Sequence, residues 1–363
     1  DITMQMTQGF LLNLRKMKKY IALLLLFPIG ILAQERTLKK ADKTFKKESY
    51  VSAIQIYERL ANKGMGSEQI YEKLGDANYF NAHYVQAQKW YEKRYALSGI
   101  FPKEFLYRYG QSLKSSGKDK QGQEILAQYA KENPTQIRAK NQSRQLVQES
   151  IKKGSDLFTI QNITTNSKYS DYSSTLKGDT LIFASARPQS LGNQLYARTG
   201  QPYTNLYYAV KQADGNYSKA ELYSKNTFSI FHEASPVFTP EGNTMYYTQN
   251  EVKENSQKKA VNGLYKIYKS ERKNGKWKSL GVQDIFAKDS ARVAHPALSP
   301  DGKTLYFASD AKGTFGQSDL FKVTINTDGS YTAPENLGST INTEGRESYP
   351  FVTKDNILLF ASA

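Results

Sequence analysis

Cysteine is absent from the 363 residues, which excludes disulfides, thiolate metal sites, a thiol nucleophile and a lipid-modified cysteine after an export signal. Histidine is scarce. His83, His232 and His295 lie far apart in the chain, whereas a first-row metal site wants its imidazoles clustered. Neither a Gly-x-Ser-x-Gly nucleophile elbow nor a Gly-x-x-x-x-Gly-Lys-Ser/Thr phosphate loop occurs. His232-Glu233 opens like a zinc-protease helix, but no second histidine follows and Pro236 stands close by, so it reads as a loop entering a strand. Asn326-Thr327-Asp328-Gly329 begins like a calcium loop, yet Leu337 holds the twelfth position where a bidentate Glu belongs, and turn chemistry accounts for it better. These absences point to a non-enzymatic chain with no catalytic residues, no metal and no cofactor.

What is present begins with charge. The net charge is +16, and 21 Lys+Arg against 13 Asp+Glu fall between residues 35 and 150. Such a balance suits anionic surfaces or simply a solvated face. Near the start, Met17-Lys18-Lys19 precedes an apolar run from Tyr20 to Leu32 and a small residue, Ala33, which together read as a signal peptide over 17–34. The run is short of the about 20 residues that a membrane span needs, and Pro28 and Gly30 interrupt it. A retained anchor is the alternative reading. Residues 1–16 then read as upstream translation, with Met4 or Met6 as other possible starts. Export argues against nucleic acid as a partner.

Residues 35–150 carry a repeat. Small residues stand twelve apart in three pairs, Ala41 with Ala53, Gly75 with Ala87 and Gly110 with Gly122, and the pairs recur every 34 or 35 residues. Small residues there let two antiparallel helices approach, and Tyr57, Tyr91 and Leu126, four residues after each second small one, fill the gap. With Leu74-Gly75 and the terminating Pro134, the spacing resembles the tetratricopeptide repeat, although its usual first-helix Trp and Tyr are mostly replaced.

From about residue 151 the pattern becomes alternation rich in Tyr, Phe, Thr, Gly and Asn, which predicts strands. Ser235-Pro236-Val237-Phe238-Thr239-Pro240-Glu241-Gly242 aligns without a gap on His295-Pro296-Ala297-Leu298-Ser299-Pro300-Asp301-Gly302, with further copies at Asp171–Phe183 and Tyr349–Phe360. Each copy is a hairpin. A second hairpin follows, turning at Asp214-Gly215, Asn274-Gly275 and Asp328-Gly329. Both series step by 60 and then 54 residues, so each period supplies four strands, one propeller blade.

Ser299-Pro300-Asp301-Gly302-Lys303-Thr304-Leu305-Tyr306-Phe307 resembles the WD40-like Pro-Asp repeat of TolB-type propellers. Signal, helical repeats and propeller in that order are similar to the N-terminal part of OmpA-family envelope proteins of Bacteroidetes, a group that includes an accessory component of type IX secretion and gliding. The segment Pro334–Pro350 is similar to blade junctions in that group. The fold class expected is therefore multidomain, α plus all-β: a tetratricopeptide α-solenoid over 35–150 and an incomplete propeller of four-stranded antiparallel blades over 151–363, three blades and part of a fourth.

The resemblance implies a periplasmic, outer-membrane-associated scaffold. It implies envelope or secretion-system protein partners, and peptidoglycan held through a C-terminal OmpA-like domain beyond this sequence. From the repeat register, Glu72, Asp76, Tyr79, Tyr107, Gln111 and Lys114 are expected on the concave face of the helical array as protein-binding residues. Two other readings stay open. Such propellers also gate exported serine peptidases, and a propeller channel can act as a glycan or protein sensor.

Overall fold

The computed structural model describes residues 34–97, 99–136, 139, 159–188, 195–225, 229–254, 260–286 and 291–362, with the side chains of 252–263 left aside. The signal-peptide expectation over 17–34 lies, all but Gln34, outside the described residues. The chain divides into two compact units, one of residues 1–159 with Ala197–Gly200, the other of residues 160–196 and 201–363.

The first unit is helical: α1 (34–46), α2 (Tyr50–Leu60), α3 (Glu68–Phe80), α4 (Tyr84–Ala96), α5 (Phe105–Ser115) and α6 (Asp119–Glu132). Each hairpin reverses on one left-handed residue: Glu48, Ala82 and Gly117, with φ of 56°, 56° and 79°. At each, paired backbone bonds close the helix end, as in Ala82 N to Tyr79 O at 2.9 Å with His83 N to Asn78 O at 2.9 Å. Those reversals recur at 34 and 35 residues, the period of the small-residue pairs. The small residues sit where expected. Ala41, Ala53 and Ala87 are completely buried, and a Cβ on Gly110 would lie 2.6 Å from Leu126 Cγ, while one on Gly75 would run into the Tyr91 ring.

A polar bond repeats in the same register. Tyr57 donates its hydroxyl to Asp42 at 2.6 Å and Tyr91 donates to Asp76 at 2.8 Å, both pairs fifteen residues apart. Among the described residues no helix is long and apolar enough to cross a membrane.

The second unit is built of consecutive antiparallel sheets whose strand order follows the chain: β1 (Asp171–Lys177) to β4 (Glu221–Leu222), β5 (Glu233–Phe238) to β8 (Lys276–Val282), β9 (Val293–Leu298) to β12 (Glu335–Asn336), then the hairpin β13 (Glu347–Val352) and β14 (Leu358–Ser362). Between them, β2 (Thr180–Ser185), β3 (Asn205–Val210), β6 (Thr244–Glu254), β7 (Ala260–Lys273), β10 (Thr304–Ser309) and β11 (Asp319–Thr324) complete the ladders.

Two cores lie between sheets, and a smaller one of Phe183, Tyr207 and Ala209 lies within the first sheet. Ala184 and Leu206 of the first sheet pack with Met245, Tyr247 and Trp277 of the second, and Tyr246 and Ile267 of the second pack with Leu305, Phe307 and Phe321 of the third. This packing of each sheet against the next is the propeller-like logic of radial packing. The outermost strands β4 and β12 are only two residues long, shorter than the hairpin periodicity implies, as suits rim strands exposed to further pairing.

Turn chemistry follows the residues that signalled it. Asp301 accepts from Lys303 N at 3.0 Å, Asp328 from Ser330 N at 2.9 Å and Asp214 from Asn216 N at 2.9 Å, each with the next glycine left-handed. Sheets are also stapled to their successors in one recurring way. Glu233 N donates to Thr204 O while the Thr204 hydroxyl donates to Glu233 O at 3.1 Å, and Glu347 N donates to Ser318 O while the Ser318 hydroxyl donates to Glu347 O at 3.0 Å. Within the junction segment, the Asn342 amide accepts from Leu320 N at 2.7 Å and donates to Leu320 O at 3.1 Å, acting as a one-residue strand.

Candidate functional site

Two concave regions emerge, one in each unit. In the helical unit a cavity of about 370 Å³ opens between α1, α2 and α3. Phe45, Tyr50 and Tyr57 line it with aromatic surface, and Asp42, Lys46, Gln69 and Lys73 line it with polar groups. Gln69 Nε2 donates to Asp42 at 3.2 Å, and the Lys73 ammonium stands 4.6 Å from the centre of the Phe45 ring. A floor of rings under charges of both signs suits an extended polypeptide bearing charged side chains.

The six residues expected on the concave face fall into different surroundings. Asp76 is a correction: at 4% exposure it is a core residue, accepting from the Tyr91 hydroxyl at 2.8 Å and from Arg108 of α5 at 2.9 Å. The register places it at the surface, but Tyr91 reaches it from α4 and Arg108 from the next unit, so its carboxylate ties three helices together. Glu72 is partly buried, 3.9 Å from the Arg94 guanidinium, and burial, then the charge of Asp76, raises its pKa. Tyr79 is partly buried, edge-on to Tyr84 at 5.6 Å, and Tyr107 leans on Tyr129 at 5.4 Å. Gln111 and Lys114 are partly buried on α5, with the Lys114 stem packed over Gly122. The groove residues Asp42, Gln69 and Lys73 were missed. Their signal was available, since Asp42 stands 34 residues before Asp76 at the equivalent place after a small residue.

In the strand unit a cleft of about 220 Å³ runs along the first strand of each sheet, β1, β5, β9 and β13. Each of these strands carries a β-bulge at the same place. Ser173-Ser174, Ser235-Pro236, His295-Pro296 and Tyr349-Pro350 are each squeezed opposite one residue of the partner strand: Phe183, Tyr247, Phe307 and Phe360. The first residue of every bulge is left-handed although none is glycine, with φ of 53°, 52°, 57° and 52°. Holding a non-glycine residue there costs about 1–2 kcal/mol each. The prolines fit because a bulge needs no ladder donor.

The bulges re-aim four different side chains into one cleft. Ser235 donates to the Ser173 hydroxyl at 3.2 Å, and the His295 imidazole stacks on the Tyr349 ring with centroids 3.9 Å apart and planes at 19°. Burial, helped by the Arg346 charge, lowers the pKa of His295 to about 4, so its ring is neutral. His295 Nδ1 is buried and has no hydrogen-bond partner among the described residues. Ahead of β5, His232 accepts from Thr204 N and is likewise lowered to about 4 by burial. Glu233, on a strand rather than the helix a zinc-protease motif requires, is 1% exposed, and burial raises its pKa well above the usual value. Among the described residues no group of three or more His, Cys, Asp or Glu is placed to hold a metal ion.

No protein-family profile matches the chain. No curated protein matches it either. Solved structures that resemble it include a puromycin hydrolase (TM-score 0.32, 13% identity, 55% of this chain and 36% of that one). A Mycobacterium tuberculosis puromycin-hydrolyzing peptidase (0.30, 14%, 54% and 36%) and an alpha-L-arabinofuranosidase from Lactobacillus brevis (0.30, 12%, 50% and 61%) also resemble it. The chain thus spans 36% of the length of the first two of these.

Proposed function

We propose that this chain is a non-enzymatic binding scaffold of the bacterial envelope. Its helical unit, read as a tetratricopeptide solenoid, grips a polypeptide segment of an outer-membrane or secretion-system component. Its strand unit, read as part of a WD40-like Pro-Asp propeller of the OmpA family, is carried alongside. Peptidoglycan would be held by an OmpA-like domain beyond this sequence. The observation that carries the reading is the α1–α3 groove, in which Asp42, Gln69 and Lys73 stand over Phe45 and Tyr57. The solenoid reading draws support from the 34-residue recurrence of the left-handed reversals and of the Tyr–Asp bonds.

The test uses the full chain with a photo-crosslinking residue at Gln69, exposed to a bacterial envelope extract. The reading expects one or a few envelope polypeptides to be captured, and a Phe45→Ala, Lys73→Glu double variant carrying the same crosslinker to lose them. Equal capture by that variant would reject the groove.

A further inference from the structure

The inner-strand cleft is built differently from the helical groove, and its chemistry points elsewhere. None of its fourteen lining residues carries a full charge: Ser173, Ser174, Thr175 and Ser235 present hydroxyls, Tyr349 and Phe351 present rings, and the rest are apolar apart from His295. Among the lining residues an anionic ligand finds no cation, the nearest charge noted being that of Arg346 beside His295 and Tyr349, and a cationic peptide finds no carboxylate. The rings stand as a platform. Tyr349 is 50% exposed, yet it is held in place from behind by the stacked His295 imidazole.

An extended neutral peptide is the natural rival, because first strands offer an unpaired edge to which a peptide can add. The bulges argue against it. In every first strand the left-handed residue breaks the regular run of N–H and C=O groups in the middle of the segment that lines the cleft. In β9 the His295 N–H is taken up by the Thr248 hydroxyl at 2.8 Å. What remains available is side chains: hydroxyls in a row and an exposed ring face. Hydroxyl groups exchanged against sugar hydroxyls, with the apolar face of a pyranose laid on a ring, satisfy that set without any backbone pairing.

We propose that the cleft formed by Ser173, Ser235, His295 and Tyr349 binds a short neutral glycan, with Tyr349 as the stacking platform. The four bulges are the device that permits it: one backbone solution repeated four times, with a different side chain at each. The proposal is independent of the helical groove, so either can fail alone.

The experiment is saturation-transfer NMR on the full chain. Its probes are N-acetylated chitotetraose, cellotetraose, maltotetraose and, as the rival, tetra-alanine. The expected result is transfer to the ring protons of at least one tetrasaccharide and none to the peptide. Tyr349→Ala should weaken that binding about tenfold or more. Ser174→Leu, at an exposed position in the β1 bulge, should abolish it by filling the cleft. Both variants must melt as the parent does, and Tyr349→Phe should retain binding because it keeps the platform. Absence of transfer to every sugar, sugar binding untouched by both Tyr349→Ala and Ser174→Leu, or displacement of the sugar by tetra-alanine would each overturn the proposal.

Discussion

Two hairpins of nearly the same sequence meet different surroundings in this molecule. Thr304-Leu305-Tyr306-Phe307-Ala308-Ser309 forms β10, and Ile357-Leu358-Leu359-Phe360-Ala361-Ser362 runs into and through β14, each pairing back on a bulged strand of the same register. Leu305 and Phe307 are completely buried, whereas their counterparts Leu358 and Phe360 are only partly covered, and Ile357 and Leu359 beside them are 56% and 53% exposed. The difference lies in the neighbours. β10 has β11 on its far side and the second sheet's Tyr246 and Ile267 against its face, while β14 pairs with β13 alone. Local sequence therefore decides that a strand forms and how it bulges, and packing against the next sheet decides whether it is core.

The largest effect expected from this contrast is on the buried ring. Phe307→Ala should cost about 3–5 kcal/mol, the range for emptying a packed aromatic site. Phe360→Ala, at the aligned position, should cost about 1 kcal/mol, because part of its site already lies open. Denaturant unfolding of the full chain followed by fluorescence of the buried Trp277 measures the first, and near-ultraviolet circular dichroism the second. Equal losses would mean that the final hairpin is as well packed as the third sheet.

A second contrast concerns the carboxylates that begin β5 and β13. Glu347 accepts from Thr343 N at 2.9 Å, the Thr343 hydroxyl at 2.7 Å and the Ser362 hydroxyl at 2.7 Å, so Glu347→Ala should loosen the last hairpin by about 1–3 kcal/mol. Glu233 occupies the equivalent place with one oxygen lacking a partner among the described residues, and burial raises its pKa. A raised folded-state pKa means that the folded chain binds the proton more tightly. Its stabilising contribution is full below the ordinary value of 4.5 and fades as pH rises through the raised one. His232 and His295 work the other way. Each is lowered by burial from 6.5 to about 4, so their contribution is present above 6.5 and is lost as pH falls through about 4. Denaturant midpoints across that window should therefore rise with pH more steeply in Glu233→Gln than in the parent. They should rise less steeply in a His232→Gln, His295→Gln pair.

Much of this was legible in the chain and some was not. The turns at Gly215, Gly302 and Gly329 were signalled by Asp-Gly pairs, because few other residues tolerate the left-handed backbone there. The four hairpins followed from alternation and from the alignment of Pro236, Pro296 and Pro350. Those same prolines stand in bulges that the hairpin reading did not anticipate: an interior strand proline leaves the ladder without a donor, but the alignment does not say where the preceding side chain points. His295 and Tyr349 meet only because adjacent sheets bring their first strands together, a contact 54 residues apart in sequence. Asp76 shows the same limit in the helices. Its small-residue register suggested an exposed face, and the partners that bury it, Tyr91 and Arg108, come from two other helices.

The smallest effect sharpens the comparison most, because it asks for nearly no change. Leu359 is aligned with Tyr306 and lies 53% exposed on β14, so replacing it by serine removes little buried surface and should move stability by no more than about 0.5 kcal/mol. Solubility should respond more. Tyr349, Phe351, Ile357 and Leu359 are all at least half exposed on this one hairpin, and a cluster of large apolar groups beside an unpaired strand edge favours association. Light scattering on the parent and on Leu359→Ser, at matched concentration, should show less association in the variant with an unchanged unfolding midpoint. A loss of stability comparable to that of Leu305→Ser, whose side chain is completely buried, would place Leu359 in a core and erase the distinction between the two hairpins.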